Sequence, residues 1–201
     1  MKLCYSPTSP YVRKVTMTAL ETGTHDQIER LAIIPAGPAS DVAKVNPLGK
    51  VPALTLDDGS VLYDSPVICE YLDALGGGSG LFPAAGAERW NILRLQALAD
   101  GVMDAGILIL MEGRRPEGER SPDWVTRQKL AMTQGLEAME TDVDALGDSV
   151  TIAHITFCAT LGWIDFRSVV DWRESCPALA DWYAAYSARP SAMATEPEDP
   201  A

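Results

Sequence analysis

Apolar and polar positions follow two rhythms along the chain. The change falls at Gly76-Gly77-Gly78-Ser79-Gly80, a stretch that cannot hold a helix. Before it, strand-like and helix-like runs alternate. Lys2–Tyr5 reads as a short strand. Ser9-Pro10 opens a helix that runs to about Thr22 and stops at Gly23. Serine is a favoured N-cap, and proline suits the first helical position because its missing N–H is not needed there. A second strand fits Gln27–Ile33, and a loop or short helix covers Pro35–Val45. Pro52–Leu56 and Val61–Tyr63 alternate on either side of Asp58-Gly59, a strong hairpin signal. Ser65-Pro66 repeats the cap-and-proline pairing, and Val67–Leu75 continues as a helix. The predicted order is βαβ, then a β-hairpin, then α. Its first half requires a parallel crossover and its second an antiparallel pair.

After the glycines the period is helical. Ala87 to about Gly113 predicts one long helix and Pro122–Leu146 another. In the second, Met132, Leu136, Met139, Val143 and Leu146 are spaced 4, 3, 4, 3, the stripe of a core-facing helix. A third begins at Thr151 and is apolar on most sides, as a central buried helix is. Leu179, Trp182, Tyr183 and Tyr186 mark a fourth, and the tail Glu196–Pro200 reads as frayed. The division is an α/β domain over 1–78, a linker over 76–86 and an all-α domain over 87–201.

Composition narrows the function. With 47% apolar and 22% charged residues, the 201-residue chain is globular, not disordered. A net charge of −12 opposes binding to nucleic acid or to an anionic membrane. The apolar run Ile107–Met111 is far short of the roughly 20 residues that span a bilayer. Pro7 and Pro10 leave no apolar signal core, so a cytoplasmic protein is expected. Cys4, Cys69, Cys158 and Cys176 form no C-x-x-C pair, and neither a metal site nor a dithiol motif is visible. Buried free thiols are expected instead.

Three places carry candidate chemistry. Asn46-Pro47-Leu48-Gly49-Lys50-Val51-Pro52 sets a proline at the start of a strand, directly before a hairpin. Pro52 reads either as an ordinary trans proline on an edge strand or as a cis turn. Asp64-Ser65 stands where a helix begins, and free N–H groups there attract a carboxylate while Asp64 can accept from an ammonium; a plain N-cap is the alternative. Ser9 is an N-cap or a hydroxyl poised at a helix N-terminus, with Ser6 and Thr8 as rivals one loop shift away.

With Ser6-Pro7-Thr8-Ser9-Pro10-Tyr11-Val12-Arg13-Lys14, Asn46 to Pro52, and Asp64-Ser65 followed by Ile68 and Tyr71-Leu72, the chain resembles the glutathione S-transferase superfamily over residues 1 to about 83. The resemblance continues more weakly through Leu98–Ala105, and with the start it looks most like the bacterial YibF-like branch. It implies a thioredoxin-like N-terminal domain with a mixed four-stranded sheet, an all-α C-terminal domain and a homodimer. It also implies a cytoplasmic detoxifying transferase that conjugates glutathione, its co-substrate, to a small apolar electrophile. A non-catalytic interaction protein and a glutathione-dependent peroxidase or reductase acting in the same site are the alternatives.

The resemblance assigns roles. A cis Val51-Pro52 bond would expose the Val51 N–H and C=O to the extended cysteinyl part of glutathione. Asp64 and Ser65 would take the charges of its γ-glutamyl end, and Lys50 its glycine carboxylate. Ser9 would donate a hydrogen bond to the thiolate. Lowering a thiol pKa of about 8.5 by ~2 units takes about 2.7 kcal/mol. One hydrogen bond to a charged group supplies ~1.5–3 kcal/mol and a helix N-terminus ~0.3–1 more. Arg13 and Lys14 would raise the local potential or lie on a solvated surface. Asp100 and Asp104 would reach a partner subunit's ligand amine or lie on a solvated face. Ile107 and Met111, with Met103 and Leu110, would line the electrophile pocket or join the core. One position departs from the pattern: the central C-terminal helix begins Thr151-Ile152-Ala153-His154, where the family has Ser/Thr-x-x-Asp. Histidine is expected not to reproduce the acidic cap.

Overall fold

The computed structural model describes residues 1–32 and 41–199. In chain order its elements are β1 (Lys2–Tyr5), α1 (Pro10–Glu21), β2 (Glu29–Ala32), β3 (Ala53–Thr55), β4 (Val61–Leu62) and α2 (Ser65–Leu75). Then follow α3 (Gly86–Gly113), α4 (Pro122–Asp142), α5 (Ile152–Arg167), α6 (Pro177–Ser187) and α7 (Pro190–Met193). They form two compact units, Met1–Ala84 together with the stretch from Pro190 onward, and Ala85–Arg189.

In the first unit the sheet order is β2-β1-β3-β4. β1 pairs parallel with β2, Lys2 to Glu29 through Tyr5 to Ala32, and antiparallel with β3, Lys2 to Thr55 through Cys4 to Ala53. β3 and β4 close the expected hairpin, where Asp58 Oδ1 accepts from the Ser60 N–H at 2.9 Å and Gly59 has φ +85°. Leu3, Cys4, Val12, Val15, Met17, Leu54, Ile68 and Leu72 form the core. The second strand begins at Glu29, two residues later than expected, because His25–Gln27 tightens into a 3-10 turn first; its expected end at Ile33 lies outside the described residues. A further 3-10 turn covers Asp41–Lys44; the rest of the loop expected from Pro35 lies outside the described residues.

α1 and α2 touch where Gly76 meets Thr22: a Cβ on Gly76 would lie 2.6 Å from the Thr22 carbonyl oxygen. The glycine-rich joint is tied by buried Asp73, which accepts from the Ser79 hydroxyl at 2.6 Å and from the Phe82 N–H at 3.4 Å. The C-terminal stretch departs from expectation, since it belongs with the sheet and not with the helices. Arg13 Nη2 donates to the Ala192 carbonyl at 3.2 Å, and the Ser191 hydroxyl donates to the Glu21 carboxylate. α7 is one turn long, too short to show a hydrophobic period.

The second unit is helical throughout. Every residue of α5 from Ile152 to Ile164 is buried, as expected of its central helix. The α4 stripe is buried as its spacing predicts, although α4 ends at Asp142 and a 3-10 turn carries Val143–Leu146. Glu140 of α4 accepts from the N–H groups of Ala178 (3.0 Å) and Leu179 (2.6 Å), capping α6 from outside its own chain segment. In the last turn of α5, Asp165 accepts from both Arg173 guanidinium nitrogens (2.7 and 2.6 Å) and from the Trp172 indole N–H (2.9 Å) of the segment that follows. Among the described residues, no helix is long and apolar enough to cross a membrane.

Two glycines of α3 have opposite surroundings. A Cβ on Gly106 would stand 2.7 Å from Cζ3 of buried Trp163, whereas one on Gly101 meets nothing within 4 Å. Gly106→Ala is therefore expected to destabilise by about 1–3 kcal/mol through overpacking. Gly101→Ala is expected to stabilise by up to about 1 kcal/mol through helix propensity. Urea unfolding of the two variants checks both signs; a stabilised Gly106→Ala would contradict the packing.

Candidate functional site

Strand direction brings three separate segments together. β1 runs toward Tyr5, so the Ser6–Ser9 loop lies at that end of the sheet. β3 is antiparallel to β1, so its preceding turn, Val51-Pro52, lies at the same end. β4 is antiparallel to β3, so Tyr63-Asp64-Ser65 emerges there too. The helices α1 and α2 both begin at this end, and their N-termini add positive potential.

Ser9 is the N-cap of α1, with its hydroxyl oxygen accepting from the Val12 N–H at 3.3 Å. That bond uses a lone pair and leaves the hydroxyl proton to donate. No acidic residue in the first turn of α1 offsets its field. Ser6 and Thr8 share a hydroxyl contact at 3.4 Å. Cys4 is buried, and burial pushes its thiol pKa above the ordinary value, which opposes a nucleophilic role.

The Val51-Pro52 bond is cis, as is Tyr63-Asp64. Among the described residues neither the N–H nor the C=O of Val51 has a hydrogen-bond partner. The turn before it is organised by Asn46. Its Nδ2 donates to the Lys50 carbonyl at 2.8 Å and its Oδ1 accepts from the Leu48 N–H at 3.0 Å, with the side chain buried. Lys50 is exposed and makes no ion pair among the described residues.

At α2 the sequence reading needs a correction of one residue. Asp64, not Ser65, is the N-cap, and Ser65 is the first helical residue. The Asp64 carboxylate is exposed and caps no N–H. Ser65 is 2% exposed, and its hydroxyl has no partner among the described residues. The first hydrogen bond across this turn runs from the Ile68 N–H to the Asp64 carbonyl at 3.1 Å, so the Ser65 and Val67 N–H groups precede the ladder.

A second correction concerns Arg13 and Lys14. Lys14 is 0% exposed and Arg13 holds the C-terminal stretch, so neither is a solvated side chain. A polar hollow of about 300 Å³ flanks the sheet end, lined by Tyr5, Ser6, Arg13, Arg30 and Glu196 among others. A wider crevice of about 650 Å³ lies at the opposite end, along Met1, Thr55 and Asp57, and holds none of the candidate residues. In the helical unit, Asp100, Asp104, Ile107 and Met111 share one stripe of α3. Asp104 and Met111 are exposed, Asp100 and Ile107 half-buried, and Met103 belongs to the core.

Residues 8–75 match the family described as Glutathione S-transferase, N-terminal domain, and residues 122–185 its C-terminal domain. The chain is 34% identical over 201 residues to the uncharacterized GST-like protein YibF of Escherichia coli K12, covering 98% of each chain. The chain belongs to the glutathione S-transferase family. Its fold is similar to a glutathione transferase family member from Pseudomonas fluorescens Pf-5 with bound glutathione (TM-score 0.93, 40% identity, 98% of this chain and 99% of that one). It is also similar to that family member with bound S-(propanoic acid)-glutathione (TM-score 0.90, 40% identity, the same coverage).

In this glutathione S-transferase chain the histidine expected to fail as a cap does not fail. His154 Nδ1 accepts from the Thr151 N–H at 3.2 Å, closing the box that a carboxylate closes elsewhere. Asn46, within the 46–52 motif, also carries a local signal of its own, since an Asx side chain that accepts from the N–H two residues on is a recognised turn pattern. Removing it in Asn46→Ala strands the Lys50 carbonyl and the Leu48 N–H. A loss of about 2 kcal/mol in unfolding free energy is expected. An unchanged denaturation midpoint would remove Asn46 from this role.

Proposed function

We propose that the protein is a glutathione S-transferase that binds glutathione at the sheet end described above and conjugates it to a small apolar electrophile. One observation carries the reading: the unpartnered hydroxyl of Ser65 at the N-terminus of α2 shares that end with the unpaired backbone groups of Val51. An extended peptide bearing a carboxylate and an ammonium at one terminus suits both. The Val51 N–H and C=O pair with its cysteinyl backbone. Ser65 and the first N–H groups of α2 take the γ-glutamyl carboxylate, and Asp64 takes the ammonium. Lys50 faces the glycine carboxylate. The glutathione and glutathione conjugate held by the Pseudomonas relative support this ligand class.

Ser9 then donates its free hydroxyl proton to the sulfur. This hydrogen bond and the α1 N-terminus favour the thiolate, the form that attacks the electrophile. No proton need pass to Ser9, which is a donor and not a base. The electrophile pocket includes Ile107 and Met111, and Asp100 and Asp104 meet the ligand of a second subunit in a cytoplasmic homodimer.

Conjugation kinetics with a model aryl halide test Ser9. In Ser9→Ala, kcat/KM is expected to fall about 10–100-fold, or roughly 1.4–2.8 kcal/mol. The acid limb of the pH–rate profile moves up toward the free thiol's value of about 8.5. Equal activity in the two proteins would sink the role. Calorimetry tests the site itself: Ser65→Ala is expected to weaken glutathione about tenfold. No heat from wild type at millimolar glutathione would overturn the whole reading.

A further inference from the structure

His154 is one of two histidines in the chain, and the other, His25, lies in the first unit. Its two ring nitrogens have partners of opposite character. Nδ1 lies 3.2 Å from the backbone nitrogen of Thr151, which can only donate. Nε2 lies 3.2 Å from the carbonyl of Gly147, which can only accept. Together they require a neutral imidazole with its proton on Nε2. The ring thereby ties both ends of the Gly147–Thr151 loop to the first turn of α5.

We propose that His154 is an acid-sensitive latch: the neutral ring holds the 147–151 loop on the start of α5, and a proton at Nδ1 opens it. The proton would face the Thr151 N–H, donor against donor. The Thr151 hydroxyl, 3.0 Å from Nδ1, can turn to accept it, but the Thr151 N–H then loses its acceptor. The new cation would also stand at the positive end of α5, where an aspartate at this position would be favoured.

The surroundings oppose protonation as well. His154 is 3% exposed, and burial, followed by the Arg189 charge, holds its pKa below the ordinary histidine value against the favourable Gly147 carbonyl. Arg189 lies over the Tyr186 ring at 5.5 Å, and Tyr186 and Trp182 of α6 lie 5.8 and 6.1 Å from the imidazole. The loop's own carboxylate, Asp148, is exposed. A depressed folded value means that the open state binds the proton more tightly. The latch is therefore fully effective above about pH 6.5 and is lost as pH falls through the folded value.

Hydrogen exchange of peptides spanning 147–157 in the full-length protein tests this, with rates corrected for intrinsic pH dependence. Between pH 7.5 and 5.0 the wild type is expected to lose protection at least tenfold. His154→Asp keeps an acceptor that stays ionised over most of this range and should change less than threefold. His154→Asn keeps a neutral acceptor and serves the same purpose should the aspartate variant fold poorly. His25→Gln should behave as wild type. The proposal is overturned if wild type shows no acid loss, if both His154 variants lose protection as wild type does, or if His25→Gln abolishes the effect.

Discussion

The pairing of β1 on both of its edges is the constraint from which the candidate site follows. A strand with a parallel neighbour on one side and an antiparallel one on the other directs their connections to different ends. The antiparallel edge brings the start of β3 beside the end of β1. The hairpin then returns β4 to that end again. A hydroxyl at one helix N-terminus, an unpaired peptide group and a second helix N-terminus thus gather there, although some 55 residues separate Ser9 from Ser65 in the sequence. The ladder that stabilises the sheet also sets the spacing of the site.

Much of this was readable from local signals. Ser9-Pro10 announced α1 because capping and proline tolerance act over one turn. Asp58-Gly59 announced the hairpin because a positive φ there favours glycine. The heptad-like stripe from Met132 to Leu146 announced which face of α4 is buried. Each is decided by neighbours within a few residues. The motif residues at 46–52 and 64–65 became meaningful only together, through the family resemblance.

The remainder depends on partners far along the chain. Nothing near Arg13 or Lys14 shows that both are buried, since the group that receives Arg13 is the carbonyl of Ala192. Glu140 looks like an ordinary solvated position of α4 until α6 is folded against it. His154 is hidden for a subtler reason: comparison by charge sets histidine against aspartate, but the cap requires an acceptor, and a neutral imidazole has one. The one-residue shift at Asp64-Ser65 is of the usual size for a helix boundary.

The chain leaves the sheet-bearing unit at Ala84 and rejoins it at Pro190. In topological terms the helical unit is an insertion within the other, although it occupies the second half of the sequence. On a ribosome, the strands and both helices of the first unit are made early. The contacts of Ser191 and Ala192 with Glu21 and Arg13 can form only after the whole helical unit has been made. The sheet-bearing unit is thus the first to be made but cannot be finished until the helical unit has emerged, and a chain cut at Arg189 would carry the defect at its beginning.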